Sequence, residues 1–306
     1  MKKEKLIIIG SGPAAYTAAI YAARAHLEPL LIEGKEPGGQ LMGTTYVENW
    51  PGIKRILGPQ LINDMKEHAQ SLGTRFIAEE ALEVSVERPF QIKTHRNNLF
   101  YAEALIIATG ATPKRLGCPG ESDYWGKGVT TCAVCDGVFY HNKKVIIVGG
   151  GDSAMENASF LTNFTQDITI VHILDKFTAC PSMQERVLSN PSIKVIYSST
   201  VSRIMGDGSH VTGVILTDQK TKKETEVPID GVFISIGLNP NTGIVKGKVA
   251  LNEYGYIKHI LYSQTSVSGI FAAGDVVDDR YRQAITSAGS GCMAALDAER
   301  FLKENP

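Results

Sequence analysis

Leu6-Ile7-Ile8-Ile9-Gly10-Ser11-Gly12-Pro13-Ala14-Ala15 is the stretch from which the fold is read. Four apolar residues, three of them β-branched, make a short buried strand. The strand stops at Gly10-x-Gly12-x-x-Ala15, and an Ala-rich helical segment follows from Tyr16 to Ala25. Leu30-Leu31-Ile32-Glu33 is the next strand, and it ends in an acid. Glu33 stands 21 residues after Gly12, the separation at which a carboxylate meets a ribose hydroxyl in a βαβ nucleotide unit. The glycines let the backbone approach a pyrophosphate at a helix N-terminus, where free N–H groups and the dipole favour anions. Ala15, in place of a third glycine, still permits close packing of helix on strand. With strand, helix and distal acid all in place, residues 5–34 read as a dinucleotide site rather than an ordinary βα turn.

The signature recurs. Val145 to Val148 is a strand, Gly149-x-Gly151-x-x-Ala154 opens a helix through Leu161, and Ile168 to Val171 is the following strand. The same 21-residue count from Gly151 lands on His172, not on an acid. Two copies imply two nucleotides, or one nucleotide and a degenerate site.

Between the copies lies Thr131-Cys132-Ala133-Val134-Cys135-Asp136-Gly137. Two thiols three positions apart can close a small, exchangeable disulfide, and one of such a pair is often acidified into a nucleophile. Asp136 is placed to move a proton to or from a departing thiolate. The same spacing also suits half of a zinc site, or two core cysteines. Zinc usually needs four clustered ligands, whereas Cys118, Cys180 and Cys292 are scattered singly, with packing as their default role. The position between two nucleotide signatures favours redox exchange, and no metal is expected.

Length and composition bound the rest. The chain has 306 residues, room for two domains, with 43% hydrophobic and 21% charged residues. A net charge of -1 makes no electrostatic case for nucleic acid or an anionic membrane. Five cysteines, a small and odd number, point to a reducing compartment and hence a cytoplasmic protein. No apolar run approaches the ~18 residues of a membrane span. The basic start, Met1 to Lys5, precedes too short an apolar run for a signal peptide, so it leads into the first strand.

Elsewhere, residues 37–52 read as an ordered, polar loop, and 57–73 as an amphipathic packing helix ending at Gly73. Residues 74–103 and 193–236 alternate like short antiparallel strands. Buried strands are expected at 103–110, 229–237 and 268–275, the last ending at Asp275. Pro113–Gly120 and Gly243–Gly247 have the composition of hinges. The final helix runs from about Ala284 to Leu302, with its N-terminus available to a ring that gains negative charge.

Taken together these residues resemble the low-molecular-weight, bacterial-type thioredoxin reductases over nearly the whole chain. The resemblance rests on Gly10–Ala15, Gly38-Gly39-Gln40-Leu41, Val47-Glu48-Asn49, Ala108-Thr109-Gly110, Cys132–Gly137, Gly149–Ala154 and Gly274-Asp275-Val276. The run Tyr281-Arg282-Gln283-Ala284-Ile285-Thr286-Ser287-Ala288 is the most specific.

It implies an α/β fold of two Rossmann-like nucleotide-binding domains, the second inserted into the first. An FAD domain would be built from residues 1–113 and 246–306, and a pyridine-nucleotide domain carrying the CxxC from 114–245. FAD would contact Gly10, Ser11, Gly12, Pro13, Ala14, Glu33, Gly39, Gln40, Leu41, Asn49, Ala108, Thr109, Gly110, Asp275, Arg282, Gln283 and Ala284. Gly149, Gly151, Asp152, Ser153 and Ala154 would hold the nicotinamide nucleotide. The resemblance further implies a homodimer whose domains swivel, bringing first the disulfide and then the nicotinamide to the flavin. Electrons would reach thioredoxin or a thioredoxin-like protein, with Cys135 flavin-proximal, Cys132 the interchange thiol and Asp136 the acid/base group.

One departure bears on the donor. In NADPH-using members the strand after the second glycine loop runs into His-Arg-Arg, with another Arg five residues further on. Here the stretch is His172-Ile173-Leu174-Asp175-Lys176-Phe177-Thr178-Ala179. Guanidinium groups suit a 2′-phosphate, and Ile and Leu offer nothing in their place. Lys176 reads as a solvated charge. The expectation is weak binding of NADPH or NADH, and either NADH or a non-nicotinamide donor such as ferredoxin or a reduced flavin as the alternative. A flavin-binding sensor without turnover is a further alternative, disfavoured by the intact Cys132, Cys135 and Asp136.

Overall fold

The Lys3–Ile9 strand lies inside a seven-stranded sheet, between Leu30–Ile32 and Leu99–Ile107 and parallel to both. The structure, a computed structural model, describes residues 3–44 and 46–305; the Met1-Lys2 start of the basic stretch lies outside them. The apolar run is continuous because both faces of this sheet are covered. Leu6, Ile8, Leu31 and Ile106 pack with the alanines of the Pro13–Arg24 and Ala284–Glu304 helices. Ile7, Ile9, Ile32, Leu105 and Ile107 pack on the other face with Val245, Ile257 and Ile270. The alternation is the two-residue period of a strand.

The chain divides into two compact units, residues 1–112 with 239–306, and residues 113–238. The return to the first unit falls ahead of the Gly243–Gly247 turn. Asn241 already bonds Thr109 and Gly110, and Val245 is buried in the first unit's core. The second unit has a five-stranded, all-parallel sheet ordered Val129–Thr130, Gly231–Ile234, Lys144–Val148, Asp167–Val171, Ile193–Ile196. Beside it is an antiparallel sheet of Ser199–Gly206, Val211–Asp218 and Glu224–Pro228. The α/β class expected from the sequence is the class observed.

Two strands differ from the sequence reading. Arg75–Ile77 pairs with Leu30–Ile32 in parallel, and Ile193–Ile196 pairs with Asp167–Val171 in parallel. Each follows a helix, Gly58–Ser71 and Pro181–Leu188 respectively, and a helical crossover returns the chain in the same direction. Only later in each segment does the antiparallel pairing begin. Within residues 37–52 there is also local structure: a 3-10 turn at Gly39–Gly43, and a strand Tyr46–Val47 paired with Ile56–Leu57.

Candidate active site

In the second unit Cys132 and Cys135 are joined as a disulfide, with Cα atoms 5.3 Å apart. Cys132 precedes a one-turn helix, Ala133–Asp136, and its Sγ accepts the Cys135 N–H at 3.2 Å. Asp136 closes that turn and is partly buried. Burial pushes its carboxyl above the usual range, and a hydrogen bond from Thr130 partly opposes the shift. Thr130 Oγ1 also accepts the Cys132 N–H at 3.2 Å. Thr130 was not among the residues singled out in the sequence; its signal is only its place on the strand that leads into the motif. Of the other cysteines, Cys118 and Cys292 are half-buried and Cys180 is exposed, all three unpaired. Burial, and then the charge of Glu121, raise the Cys118 thiol. Among the described residues no group of three or more His, Cys, Asp or Glu side chains could hold a metal.

The second glycine loop has the same build as the first. Gly149 has φ +147°, and a Cβ there would stand 2.3 Å from Ser235 O. Gly151 caps the Asp152–Leu161 helix without a side-chain cap, so first-turn N–H groups remain for an anion. Asp152 Oδ1 accepts the Cys180 N–H at 2.8 Å, and Ser153 and Ala154 follow within the first turn. This loop fits a pyrophosphate. The 2′ end of a nucleotide meets different chemistry. His172 is buried with its ring against Gly150, and burial lowers its pKa, so it brings no charge at neutral pH. Ile173 and Leu174 are 56% and 48% exposed, and the Thr178 hydroxyl is turned to Gly150 O at 3.2 Å. No arginine lies between residues 162 and 185. These residues do not fit a 2′-phosphate.

In the first unit Gly10 has φ +132°, and a Cβ there would meet Ala108 O at 2.1 Å. Only glycine lets the loop cross the end of the Leu99–Ile107 strand so closely. Gly12 caps the Pro13–Arg24 helix, again with no side-chain cap, and Pro13 gives up an N–H that would have been unpaired. A Cβ on Gly12 would meet nothing within 4 Å, whereas one on Gly39 would stand 3.6 Å from the Gly12 Cα. The two glycine segments thus line one cradle with open space over Gly12.

Residues far apart in sequence complete it. Gln40 Nε2 donates to Asp275 Oδ2 at 3.0 Å, Ser287 Oγ donates to Asp275 Oδ1 at 2.9 Å, and Asn49 Nδ2 donates to Gln283 Oε1 at 3.3 Å. Burial raises the Asp275 carboxyl against the lowering effect of Ser287. Gln283 is the N-cap of the Ala284–Glu304 helix, in a reciprocal capping box with Thr286. Arg282 has φ +52° and a buried Nε without a partner, an orphaned donor that suits an anionic ligand. Leu41 packs on the helix-side core. Thr109 and Gly110 are tied to Asn241, by Thr109 Oγ1 to Asn241 O at 2.7 Å and Asn241 N–H to Gly110 O at 2.9 Å. The cradle, the acid Glu33 and the orphaned donor fit a dinucleotide cofactor of the FAD kind.

Two α/β units with matching glycine loops, one carrying a closed CxxC, define a disulfide oxidoreductase. Comparison with known proteins agrees. The family described as pyridine nucleotide-disulphide oxidoreductase matches residues 4–291. A thioredoxin reductase of Coxiella burnetii is 48% identical over 312 residues, 97% of this chain and 96% of that protein. The thioredoxin reductase structure from Giardia duodenalis superposes with a TM-score of 0.94 at 42% identity, over 99% of this chain and 100% of that one. The one from Streptococcus pyogenes gives 0.93 at 38% identity, over 99% of each chain. The chain belongs to the pyridine nucleotide-disulphide oxidoreductases, as a thioredoxin reductase of the low-molecular-weight bacterial type. Among the described residues no helix is long and apolar enough to cross a membrane.

Proposed function

We propose that the chain reduces thioredoxin or a thioredoxin-like protein with electrons passed through FAD and the Cys132–Cys135 pair. The observation that carries this reading is the closed Cys132–Cys135 disulfide beside a partly buried Asp136. FAD would be held by Gly10–Ala14, Glu33, Gly39–Leu41, Asn49, Ala108–Gly110, Asp275 and Arg282–Ala284, in the unit formed by both chain ends. When bound it supplies a two-electron carrier between an external donor and the disulfide. Homodimerisation follows the family resemblance, and a cytoplasmic location follows the small, odd number of cysteines.

The chain's own groups divide the thiol chemistry. The Cys135 N–H at Cys132 Sγ favours negative charge on that sulfur, which suits Cys132 as the attacking thiolate. Its attack on a partner disulfide forms a mixed disulfide and expels one partner thiolate. Cys135 then attacks Cys132 Sγ, which restores the Cys132–Cys135 bond and expels the second partner thiolate. Asp136 supplies the proton that a leaving thiolate takes up, and burial, which raises its carboxyl against the Thr130 hydrogen bond, favours that acid form.

A second reading concerns the donor. NADH, or a non-nicotinamide donor such as ferredoxin or a reduced flavin, is favoured over NADPH by the exposed Ile173 and Leu174 at the 2′ end of the second loop. Protein reconstituted with FAD and offered thioredoxin with each donor in turn tests both readings. Thioredoxin reduction with at least one donor is expected. No thioredoxin reduction from chemically reduced holoprotein overturns the main reading.

A further inference from the structure

Glu33 is held on every side. Glu33 is 4% exposed, and Tyr16 Oη donates to its Oε1 at 2.9 Å. Lys66 Nζ lies 2.8 Å from Oε1 and 2.9 Å from Oε2. The Glu33 backbone is fixed as well: its N–H donates to Ile77 O at 2.9 Å, and its carbonyl accepts from Ser11 Oγ at 2.7 Å. Ser11 Oγ in turn accepts the Gly38 N–H at 3.0 Å, so the acid is tied to both glycine segments of the cradle. Tyr16 is fully buried, and burial, with the nearby Glu33 charge, holds its phenol protonated as a donor. Lys66 comes from the Gly58–Ser71 helix, which the sequence marks only as a packing helix.

A carboxylate has about four acceptor sites, two on each oxygen. Tyr16 donates into one site on Oε1 and Lys66 into one on Oε2, with the Lys66 ammonium also within ion-pair distance of Oε1. Acceptor capacity is left on both oxygens. We infer that Lys66 and Tyr16 are positioning residues that orient Glu33 so that its remaining acceptor capacity meets a ribose hydroxyl of the adenosine half of FAD. The assignment rests on the FAD reading above. It differs from a purely structural ion pair in what it demands: losing Lys66 must change how the protein discriminates the ribose, and not only how stably it folds. A lysine suits the place because its ammonium is a point charge with three donors, able to bridge both oxygens from a helix that meets the strand end at one corner.

The test is a ligand cycle on apoprotein. FAD and an FAD analogue lacking both hydroxyls on the adenosine ribose are bound to wild type, Lys66→Met, Lys66→Arg and Tyr16→Phe, with dissociation constants from flavin fluorescence. Wild type is expected to favour FAD over the analogue by roughly ten-fold or more, the scale of one hydrogen bond to a charged group. Lys66→Met is expected to bring the ratio toward one, Tyr16→Phe to reduce it, and Lys66→Arg to keep most of it. An unchanged ratio in Lys66→Met, or a wild-type ratio near one, overturns the inference while FAD binding itself stands. Wild-type apoprotein that binds neither compound overturns the FAD reading on which it rests. If Lys66→Met does not fold, the Tyr16→Phe ratio and the wild-type ratio decide between the same outcomes.

Discussion

The Thr130 hydroxyl donates to Asp136 Oδ2, and its oxygen accepts the Cys132 N–H. One side chain thus joins the backbone of Cys132, the proposed attacking cysteine, to Asp136, the proposed acid–base group. Because the bond favours the ionised carboxylate, Thr130 sets how far burial can raise Asp136. Thr130→Val is expected to move the alkaline fall of thioredoxin turnover to higher pH, since the acid form then persists further. Thr130→Ser is expected to leave it in place. A pH profile of kcat/KM for the three proteins checks this, and an unmoved limb in the Val variant refutes it.

Asp136→Asn carries two expected outcomes. Turnover falls by about 10²–10⁴, the usual scale for loss of an acid–base group, with substrate binding kept. Stability changes in a defined direction. The folded carboxyl is raised above its unfolded value, so the proton is held more tightly in the folded state. Its stabilising contribution is present below the ordinary carboxylate value of about 4 and is lost as pH rises through the raised folded value. Wild type should therefore lose stability between acid and neutral pH relative to Asp136→Asn. Denaturant midpoints across that range measure it, and parallel curves would count against burial as the cause.

The two cysteines should separate under single substitution. Cys132→Ser and Cys135→Ser each abolish thioredoxin reduction but leave donor bleaching of the yellow holoprotein intact. Cys135→Ser is further expected to trap a covalent mixed disulfide with thioredoxin through Cys132, visible by mass spectrometry. Cys132→Ser should trap none. The reverse pattern exchanges the assigned roles.

The donor prediction rests on Ile173, Leu174 and Thr178. A charge-assisted contact to phosphate contributes about 1.5–3 kcal/mol, so a site without two or three of them has little preference for a 2′-phosphate. Anaerobic titration of the oxidised holoprotein with equal concentrations of NADPH and NADH is expected to show no NADPH advantage. Strongly NADPH-selective bleaching would falsify the argument from these side chains.

Local pattern carries far in this chain. The two glycine loops, their strands and helices, and the closely spaced cysteines are local features, set by period, turn chemistry and three-residue spacing, and all were legible in sequence. So was the start of the last helix at about Ala284; the Gln283 capping box that fixes that start is a local feature the sequence reading did not single out. What tertiary structure decided is partnership across long separations. Gln40 and Asp275, 235 residues apart, meet only because the Ile270–Ala272 strand pairs with Leu99–Ile107 in the same sheet. Lys66 reads as one polar residue of an amphipathic helix until the crossover lays that helix beside Glu33. The parallel sense of Arg75–Ile77 was hidden for the same reason: alternation reports which face a residue takes, while strand direction depends on where the preceding helix returns the chain.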